Sequence, residues 1–338
     1  MVEEVYRRYN ASDRSYFAIL KKEIHAFALS IGFSSNRLAE IDIVVAEMVS
    51  NLAKHAIGGE LLVKKITIAG VDGMEIMCID NGPGLNDVHR MMQDGMSTKN
   101  TLGHGLGAIK RLSNLFQIYS QKGWGTILLV RFFRKELTKQ SKPVIADVHS
   151  VILAKPGEIV CGDGAAIKHS KEHIKIFLGD GLGHGKEAHE AVQRAIAAFM
   201  ICPELDAMDI IRDIHYAVKK SRGLVASVAI FSIKERKWKI CGVGNIITKI
   251  HSGSIFKTHN SYNGIIGHNI PNTMKDTEVE HVPGQILSLA SDGIKSRWET
   301  MKHPGLSRAE LGMLNAAVFK EFARNSDDMS IVSCKLSL

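Results

Sequence analysis

Cysteine is scarce in this sequence, and its arrangement argues against two structural roles. The 338 residues include five cysteines, Cys78, Cys161, Cys202, Cys241 and Cys334, which lie far apart and form no Cys-x-x-Cys pair. Such spacing is unlike a disulfide framework or a cysteine zinc site. It is typical of reduced, buried thiols in a cytosolic protein.

Long hydrophobic runs are also missing. No apolar stretch approaches the roughly 18 residues of a membrane-spanning helix. The first residues, Met1–Arg8, are charged and lack the apolar centre of a signal peptide. We therefore expect a cytoplasmic protein with no membrane partner. Its length allows two domains, each with its own core.

The sequence shows no basic surface of the kind that reads nucleic acid, although its net charge is +8. The basic residues are dispersed, and the short basic run at 131–139 only ends a predicted strand. No aromatic and basic residues alternate along a predicted face. We expect no nucleic-acid partner, because an anionic protein or a nucleotide explains the sign of the charge equally well.

The chain divides into two parts that differ in their pattern of predicted helices and strands. The predicted fold class is α+β with two domains. Residues 1–136 form the first predicted domain, 137–146 a polar linker, and 147–338 a domain of short strands and turns. Helices are predicted at 15–31, 36–56, 106–116, 186–199, 207–220 and 307–324. Strands are predicted at 65–69, 74–80, 126–133, 151–154, 158–162, 174–178, 224–233, 238–243, 285–290 and 329–336.

Polar residues with functional spacing occur in the second helix and after the second strand. Glu47, Asn51 and His55 are four residues apart, so they lie on one helix face beside the apolar stripe. Asp80 ends a strand just before two glycines, where a carboxylate can accept a hydrogen bond from an adenine amino group. Each feature alone also fits a plain solvated helix face or an ordinary turn.

A glycine cluster opens the predicted helix 106–116. Gly103, Gly105 and Gly107 leave backbone N–H groups available for phosphate at a helix start, where the helix dipole favours negative charge. Gly125 and Thr126 follow at the start of the next predicted strand. A lone glycine cluster is weak evidence, but the ordered set of motifs predicts an ATP site.

This ordered set resembles the GHKL ATPase superfamily, and specifically the small anti-sigma and stressosome serine kinases, over nearly all of residues 1–136. The likeness is strongest at 80–116. It implies a GHKL (Bergerat) α/β sandwich that binds ATP with Mg²⁺. In that family pattern Asn51 would hold Mg²⁺ on the phosphates, and Glu47 would be the general base that activates the substrate hydroxyl. The implied nucleotide-binding residues are Asn51, Asp80, Gly82, Gly84, Gly103, Gly105, Gly107 and Thr126.

Acidic residues recur at the ends of predicted strands in the second domain, each beside a turn. They are Asp163, Asp180, Asp292 and the neighbours Asp327 and Asp328. Several carboxylates that converge repel one another unless cations lie between them, and carboxylates suit Mg²⁺ or Mn²⁺. A single Asp-Gly pair is more often an ordinary turn, but this set predicts a two-metal phosphatase site.

The order and sequence of these motifs resemble those of the SpoIIE-type bacterial branch of the metal-dependent PPM phosphatases, over about residues 150–338. The most specific segments are 176–188, 242–245, 289–293 and 327–330. The resemblance implies a PPM-type β-sandwich flanked by helices, with two Mn²⁺ or Mg²⁺. The implied metal ligands are Asp163, Asp180, the Gly181 carbonyl, Asp292 and Asp327, with Asp328 as the alternative last ligand. Arg222 is a candidate phosphate-binding residue, and His184 is expected at the site entrance or in a turn.

The two resemblances together imply a bifunctional regulator of a partner switch. One domain would phosphorylate, and the other dephosphorylate, a serine or threonine of a STAS-domain partner, either an anti-anti-sigma protein or a stressosome scaffold. A sigma factor or an activator phosphatase would be a further partner. Two alternatives stay open: a phosphatase whose N-terminal domain only binds nucleotide or a protein, and a non-catalytic partner-switching protein.

Overall fold

The chain forms two compact units in the computed structural model. The structure describes residues 1–11, 13–85, 88, 105–137, 145–252, 255–298, 303, 305–306 and 309–338. By their contacts, Tyr6–Pro143 form one unit, here the N-terminal unit, and Met1–Val5 with Val144–Leu338 form the other, the C-terminal unit. This division differs from the predicted domain limits because the first five residues pack with the C-terminal unit. Most of the predicted linker lies outside the described residues.

The helices of the N-terminal unit follow from an apolar stripe and clear end signals. Helix α1 is Phe17–Ile31, α2 is Ser35–His55 and α3 is Gly105–Leu112. The Ser34 side chain accepts a hydrogen bond from the Arg37 backbone N–H and so caps the start of α2. The buried residues of α2 recur at steps of three and four, which is the stripe that the sequence predicts.

The N-terminal sheet is antiparallel and has the strand order β1-β2-β3-β5-β4. Its strands are Arg7–Asn10, Gly59–Ile68, Val71–Asp80, Leu115–Gln121 and Gly125–Phe133. One sheet face and the helices share a continuous buried core. This is the mixed helix and sheet architecture predicted for an ATP-binding domain of this class.

The prediction of a helix over 106–116 is too long at its C-terminal end. The Arg37 guanidinium binds the Leu112 carbonyl at 2.8 Å and so completes the last turn of α3. The backbone N–H of Asn114 then donates to the Arg131 carbonyl at 2.9 Å, which starts the pairing of β4 with β5. The sequence prediction missed both β4 and β1.

The C-terminal unit is a sandwich of two five-stranded antiparallel sheets. One sheet has the order β13-β10-β9-β8-β7 and the other β12-β11-β14-β15-β6. The strands β6–β15 are Ala146–Leu153, Asp163–His169, His173–Gly181, Leu224–Ser232, Lys237–Val243, Ile247–Ser252, Ile255–His259, Thr277–Glu280, Ile286–Ala290 and Met329–Leu336. Apolar side chains from both sheets fill the space between them.

Helices cover both outer faces of this sandwich. Helices α4, Lys186–Ile201, and α5, Ala207–Ala217, pack on the first sheet, while α6, Leu311–Phe322, packs on β6 and β15 of the second. The predicted strand at 158–162 is wrong. A turn at Glu158 and a hydrogen bond from the Gly162 N–H to Asp328 hold that segment outside the ladder, and β7 begins at Asp163.

The first residues of the chain extend the edge of the first sheet. The Glu3 N–H donates to the Ala165 carbonyl at 3.0 Å, and the Ile167 N–H donates to the Met1 carbonyl at 2.8 Å. The Ser150 hydroxyl donates to the Glu3 carboxylate. Residues 1–3 therefore cover β7, which is otherwise the last strand of its sheet.

All five cysteines are buried and unpaired, as the sequence predicts. Among the helices that the structure describes, none is both long and apolar enough to cross a membrane.

Candidate functional site

The polar row of α2 faces the start of α3 in the N-terminal unit. A Cβ atom added at Gly105 would lie 2.9 Å from Glu47 Oε2, 3.7 Å from Asn51 Oδ1 and 3.8 Å from Asn51 Nδ2. Glycine at this position therefore lets the start of α3 approach both polar side chains. The fold brings together a carboxylate, an amide and the N-terminal end of a helix, and a helix N-terminus favours a bound anion such as phosphate.

A second group of polar residues, here called the polar corner, lies where β3 and β4 end and β5 begins. Asp80, at the end of β3, pairs with Thr126 on β5, and Thr126 lies across from Ser120 on β4. The Gly82 N–H donates to Asp80 Oδ1 at 2.7 Å. Gly125 has φ +110°, and a Cβ atom there would overlap the Asp80 carbonyl, so only glycine fits this close approach.

Ser120 belongs to this corner, although sequence reasoning missed it. Its hydroxyl lies 3.0 Å from Thr126 Oγ1 and accepts the Leu85 N–H at 2.8 Å. Ser120 was missed because strand β4 was not predicted, and only the pairing of β4 with β5 sets Ser120 beside Thr126.

The remaining residues predicted for this unit have mixed placements. Gly107 is buried within α3, whereas Gly103 lies outside the described residues. Gly84 has φ +72° and lies against the Gln121 backbone. His55 is exposed in the last turn of α2, and a Cβ atom at Gly82 would lie 2.7 Å from its carbonyl oxygen. His55 thus borders the corner through its backbone.

Two carboxylates stand side by side in the C-terminal unit. Asp163 starts β7 and Asp180 lies near the end of β8, and the two residues are direct partners across the antiparallel pair. Asp163 is buried; Ser330 Oγ donates to its Oδ2 at 2.7 Å, while its Oδ1 has no hydrogen-bond partner. A buried carboxylate oxygen without a partner is costly and points to a ligand.

The second sheet supplies further acids to this group. Asp292 follows β14 and accepts a hydrogen bond from Asn245 Nδ2 at 2.8 Å, and Asp327 precedes β15. Backbone and side-chain hydrogen bonds between Ser291 and Ser330 join these two strand ends. The acids therefore come from both sheets of the sandwich.

Asp328 has a different environment from its neighbour Asp327. Its Oδ1 accepts the Lys155 N–H at 2.8 Å and its Oδ2 accepts the Gly162 N–H at 2.9 Å. Both carboxylate oxygens are thus engaged by the segment that leads into β7. This arrangement favours a positioning role for Asp328 and leaves Asp327 as the better ligand candidate.

Burial, more than mutual repulsion, raises the pKa values of three of these acids. Burial raises the pKa of Asp163, and the charges of Asp328 and Asp292 add to it, against hydrogen bonds from Ser330 and Ser291. Burial likewise raises the pKa of Asp180, followed by the charge of Asp163 and then those of the other acids. Burial and the charge of Asp327 raise the pKa of Asp292. The group therefore holds negative charge poorly by itself.

Divalent cations fit this group. They would relieve the repulsion between carboxylates and satisfy Asp163 Oδ1. Among the described residues, no three His, Cys, Asp or Glu side chains already surround a single point closely enough to bind one ion. Mg²⁺ keeps several water ligands and does not require an all-protein cage, so an open arrangement of carboxylates is compatible with it.

Two further residues, Arg222 and His184, lie at the loop that follows Asp180. The Arg222 guanidinium lies 3.2–3.3 Å from where a Cβ atom of Gly183 would be, and it pairs with Glu187 at 3.5 Å. His184 Nδ1 lies 2.6 Å from Glu158 Oε1. Arg222 thus lies against the loop that follows Asp180, and His184 lies within that loop at an exposed position.

Comparison with known proteins identifies the class of the N-terminal unit. A family model of the histidine kinase-like ATPase domain matches residues 11–132. The serine/threonine-protein kinase RsbT of Bacillus subtilis (strain 168) is 34% identical over 99 residues, which are 29% of this chain and 74% of RsbT. The N-terminal unit is therefore a histidine kinase-like ATPase domain. The chain belongs to the histidine kinase-like ATPase family.

Comparison with a phosphatase of the same Bacillus subtilis strain identifies the class of the C-terminal unit. The phosphoserine phosphatase RsbX of Bacillus subtilis (strain 168) is 30% identical over 102 residues, 30% of this chain and about half, 51%, of RsbX. A crystal structure of RsbX in complex with magnesium shares the fold, with a TM-score of 0.52 at 22% identity, over 58% of this chain and 98% of that chain. The chain thus combines a kinase-like ATPase domain with a PPM-type phosphatase fold.

Proposed function

We propose that the chain is a bifunctional regulator that adds phosphate to a serine or threonine of a partner protein and removes it again. The observation that supports this most directly is that one chain carries both polar groups: Glu47 and Asn51 against Gly105, and Asp163 opposite Asp180. Neither group shows the loss of charged residues expected in a decayed enzyme.

In the N-terminal unit, Glu47 would accept the proton of the substrate hydroxyl, and Asn51 would hold Mg²⁺ on the phosphates of ATP. Asp80 would accept a hydrogen bond from the adenine amino group, and Thr126 lies beside Asp80. The start of α3, from Gly105, would direct backbone N–H groups at the phosphates. Because Gly105 lies next to Glu47, phosphate bound there would be close to the proposed base.

In the C-terminal unit, Asp163, Asp180, the Gly181 carbonyl, Asp292 and Asp327 would hold two Mg²⁺ or Mn²⁺. When bound, the ions supply charge that polarises the phosphate and activates water. Ser330 and Asn245 would orient Asp163 and Asp292 through their hydrogen bonds. Arg222, beside Gly183, would contact the substrate phosphate.

The proposed substrate is a STAS-domain protein of a partner switch, an anti-anti-sigma protein or a stressosome scaffold. Support comes from the likeness to RsbT and RsbX together, since one is a protein kinase and the other a phosphoserine phosphatase. Opposed activities on one residue would only consume ATP, so we expect the two units to be regulated separately or to act on different targets. A cytoplasmic location stays a prediction.

The test is the intact mass of STAS-domain proteins from the same genome after incubation with ATP, Mg²⁺ and the Asp180→Asn variant. Disabling the phosphatase keeps any transferred phosphate visible. We expect a gain of one phosphate, which the double variant Glu47→Ala/Asp180→Asn abolishes and which wild-type protein later removes.

A different result would favour the second candidate function. If ATP binds but no partner gains phosphate, the kinase proposal is wrong, and the N-terminal unit regulates the phosphatase as a nucleotide sensor. If wild-type protein fails to remove phosphate from a phosphorylated partner in the presence of Mn²⁺, the phosphatase proposal is wrong.

A further inference from the structure

A small cavity lies beside the C-terminal half of α5 in the C-terminal unit. Its volume is about 150 Å³, which leaves room for several water molecules. A space of this size accommodates one carboxylate or phosphoryl group. Its lining residues are Arg212, His215, Tyr216, His268, Asn269, Ile270, Pro271 and Asn272.

The wall of the cavity is basic. Arg212, His215 and His268 all line it, and none of the eight lining residues is Asp or Glu. Outside the wall, the Lys219 ammonium group lies 4.5 Å from the ring centroid of Tyr216. Burial lowers the pKa of His215, and the charges of Lys219 and His268 lower it further, which indicates positive potential around this imidazole.

Two side chains in the wall offer N–H donors. Arg212 uses one N–H for Asp209 Oδ1 at 3.1 Å and one for the Asn272 carbonyl at 3.4 Å, out of five on its guanidinium. Asp209 offsets part of its charge. His215 Nδ1 accepts the Gly267 N–H at 3.0 Å, so the neutral ring carries its proton on Nε2 and can donate it.

The cavity is connected to the loop after Asp180 by two hydrogen bonds. His268 Nε2 donates to the Arg222 carbonyl at 3.0 Å. The neighbouring Gly223 carbonyl accepts the Leu182 N–H at 3.1 Å, and Leu182 directly follows Gly181. The wall of the cavity and the loop after Asp180 are therefore hydrogen-bonded to two adjacent backbone residues, Arg222 and Gly223 respectively.

We propose that this cavity binds an anionic side chain of the protein substrate, close in sequence to the phosphoserine that the C-terminal unit hydrolyses. The anion would be a carboxylate or a second phosphoryl group. This inference rests on the proposed phosphatase function and adds a determinant of substrate choice. A substrate held at two points binds more tightly than one held by the reacting phosphate alone.

The test uses the full chain with Mn²⁺ and without ATP, so that only the phosphatase is active. The substrates are phosphoserine peptides in which a single glutamate among glutamines is moved one position at a time on either side of the phosphoserine. We expect one position to lower KM about tenfold in the wild type, as one charge-assisted hydrogen-bonded contact does. A second peptide series, with a further phosphoserine in place of glutamate, distinguishes the two anions.

Three variants make the test specific. Arg212→Gln and His215→Gln should remove the tenfold gain. Lys171→Gln should keep it, because Lys171 is exposed in the turn before β8, at the opposite end of that strand from Asp180. Turnover of p-nitrophenyl phosphate, which has no second anionic group, should be equal in all four proteins.

The outcomes separate this inference from the proposed function. If no glutamate or phosphoserine position lowers KM, or if the gain persists in Arg212→Gln, the cavity is not a substrate-binding site. If the wild type hydrolyses neither peptides nor p-nitrophenyl phosphate, the phosphatase proposal is wrong. The cavity is then tested by anisotropy of fluorescent peptides, whose binding should still weaken about tenfold in Arg212→Gln; equal binding would overturn the inference.

Discussion

The two units arrange their functional side chains in opposite ways. In the N-terminal unit, Glu47 and Asn51 are only partly buried, and Gly105 leaves space beside them. In the C-terminal unit, Asp163 is buried directly opposite Asp180, and burial raises the pKa of both. One site is built by leaving room for a large ligand, the other by bringing like charges together.

This difference predicts how each unit responds to its ligand. The acidic group costs folding free energy until cations neutralise it, so metal should stabilise the C-terminal unit strongly. The N-terminal site contains no comparable repulsion between buried carboxylates among its described residues. ATP should therefore stabilise its unit only by ordinary mass action.

The largest expected effect separates the chemistry of the two units. Glu47→Gln should lower phosphoryl transfer to the partner by about 10²–10⁴-fold, the range for loss of a general base, and should leave phosphatase turnover unchanged. The check is transfer of labelled phosphate, with Glu23→Gln on α1 as the matched control. Loss of phosphatase activity in Glu47→Gln would contradict the separation of the sites.

The converse variant acts on the other unit. Asp180→Asn should lower hydrolysis of p-nitrophenyl phosphate at least about 100-fold, since even outer partners of metal ligands cost 10–100-fold when removed. ATP binding should be unchanged. Asp147→Asn, exposed on β6, is the matched control. Full turnover by Asp180→Asn with Mn²⁺ would remove this residue from the proposed ligands.

A smaller effect tests the space beside Glu47. The Cβ atom of Gly105→Ala would lie 2.9 Å from Glu47 Oε2, so the carboxylate must move. A displacement of this kind should lower kinase activity about 10–100-fold without unfolding the unit. Kinetics and thermal unfolding measured together check this, with Lys110→Ala on the same helix as control. Unchanged kinase activity would show that the glycine serves only the backbone.

The smallest effect is on stability and depends on pH. A carboxyl whose pKa is raised by folding contributes stability that is present below its ordinary pKa of about 4 and is lost as pH rises through the raised value. In EDTA at pH 8, the free energy of unfolding of Asp163→Asn should therefore exceed that of the wild type by about 1 kcal/mol, which is roughly 2–4 °C in Tm. At pH 5 this difference should be smaller.

Metal should reverse this order. With Mn²⁺ at pH 8, thermal unfolding of the wild type should shift upward, whereas Asp163→Asn should gain little. If the stability difference between the two proteins depended on neither pH nor metal, buried carboxylate charge would not be the cause of it.

Much of both sites was predictable because local sequence patterns determine it. The row of Glu47 and Asn51 follows from helix periodicity, and the alternation of β8 directs Asp180 to the edge of the core. Strands β1 and β4 were missed, since β1 is short and β4 follows a helix without a clear break; their pairing with β2 and β5 defines them. Ser120 was missed for the same reason.

The choice between Asp327 and Asp328 shows what sequence alone does not reveal. The two neighbours are chemically identical, and both precede the same strand. They differ in their hydrogen bonds, because Lys155 and Gly162, more than 160 residues earlier, donate to both oxygens of Asp328. Such long-range partners exist only once the two sheets are packed together.

The first five residues belong to the C-terminal unit, where residues 1–3 pair with β7. A protein fragment that began at residue 147 would lack the strand-like segment that bonds to Ala165 and Ile167. Its β7 edge would expose unpaired backbone groups of the type that recruit foreign strands. Isolated fragments of the C-terminal unit should consequently aggregate more readily than the whole chain, and adding back the first five residues as a peptide should suppress this aggregation.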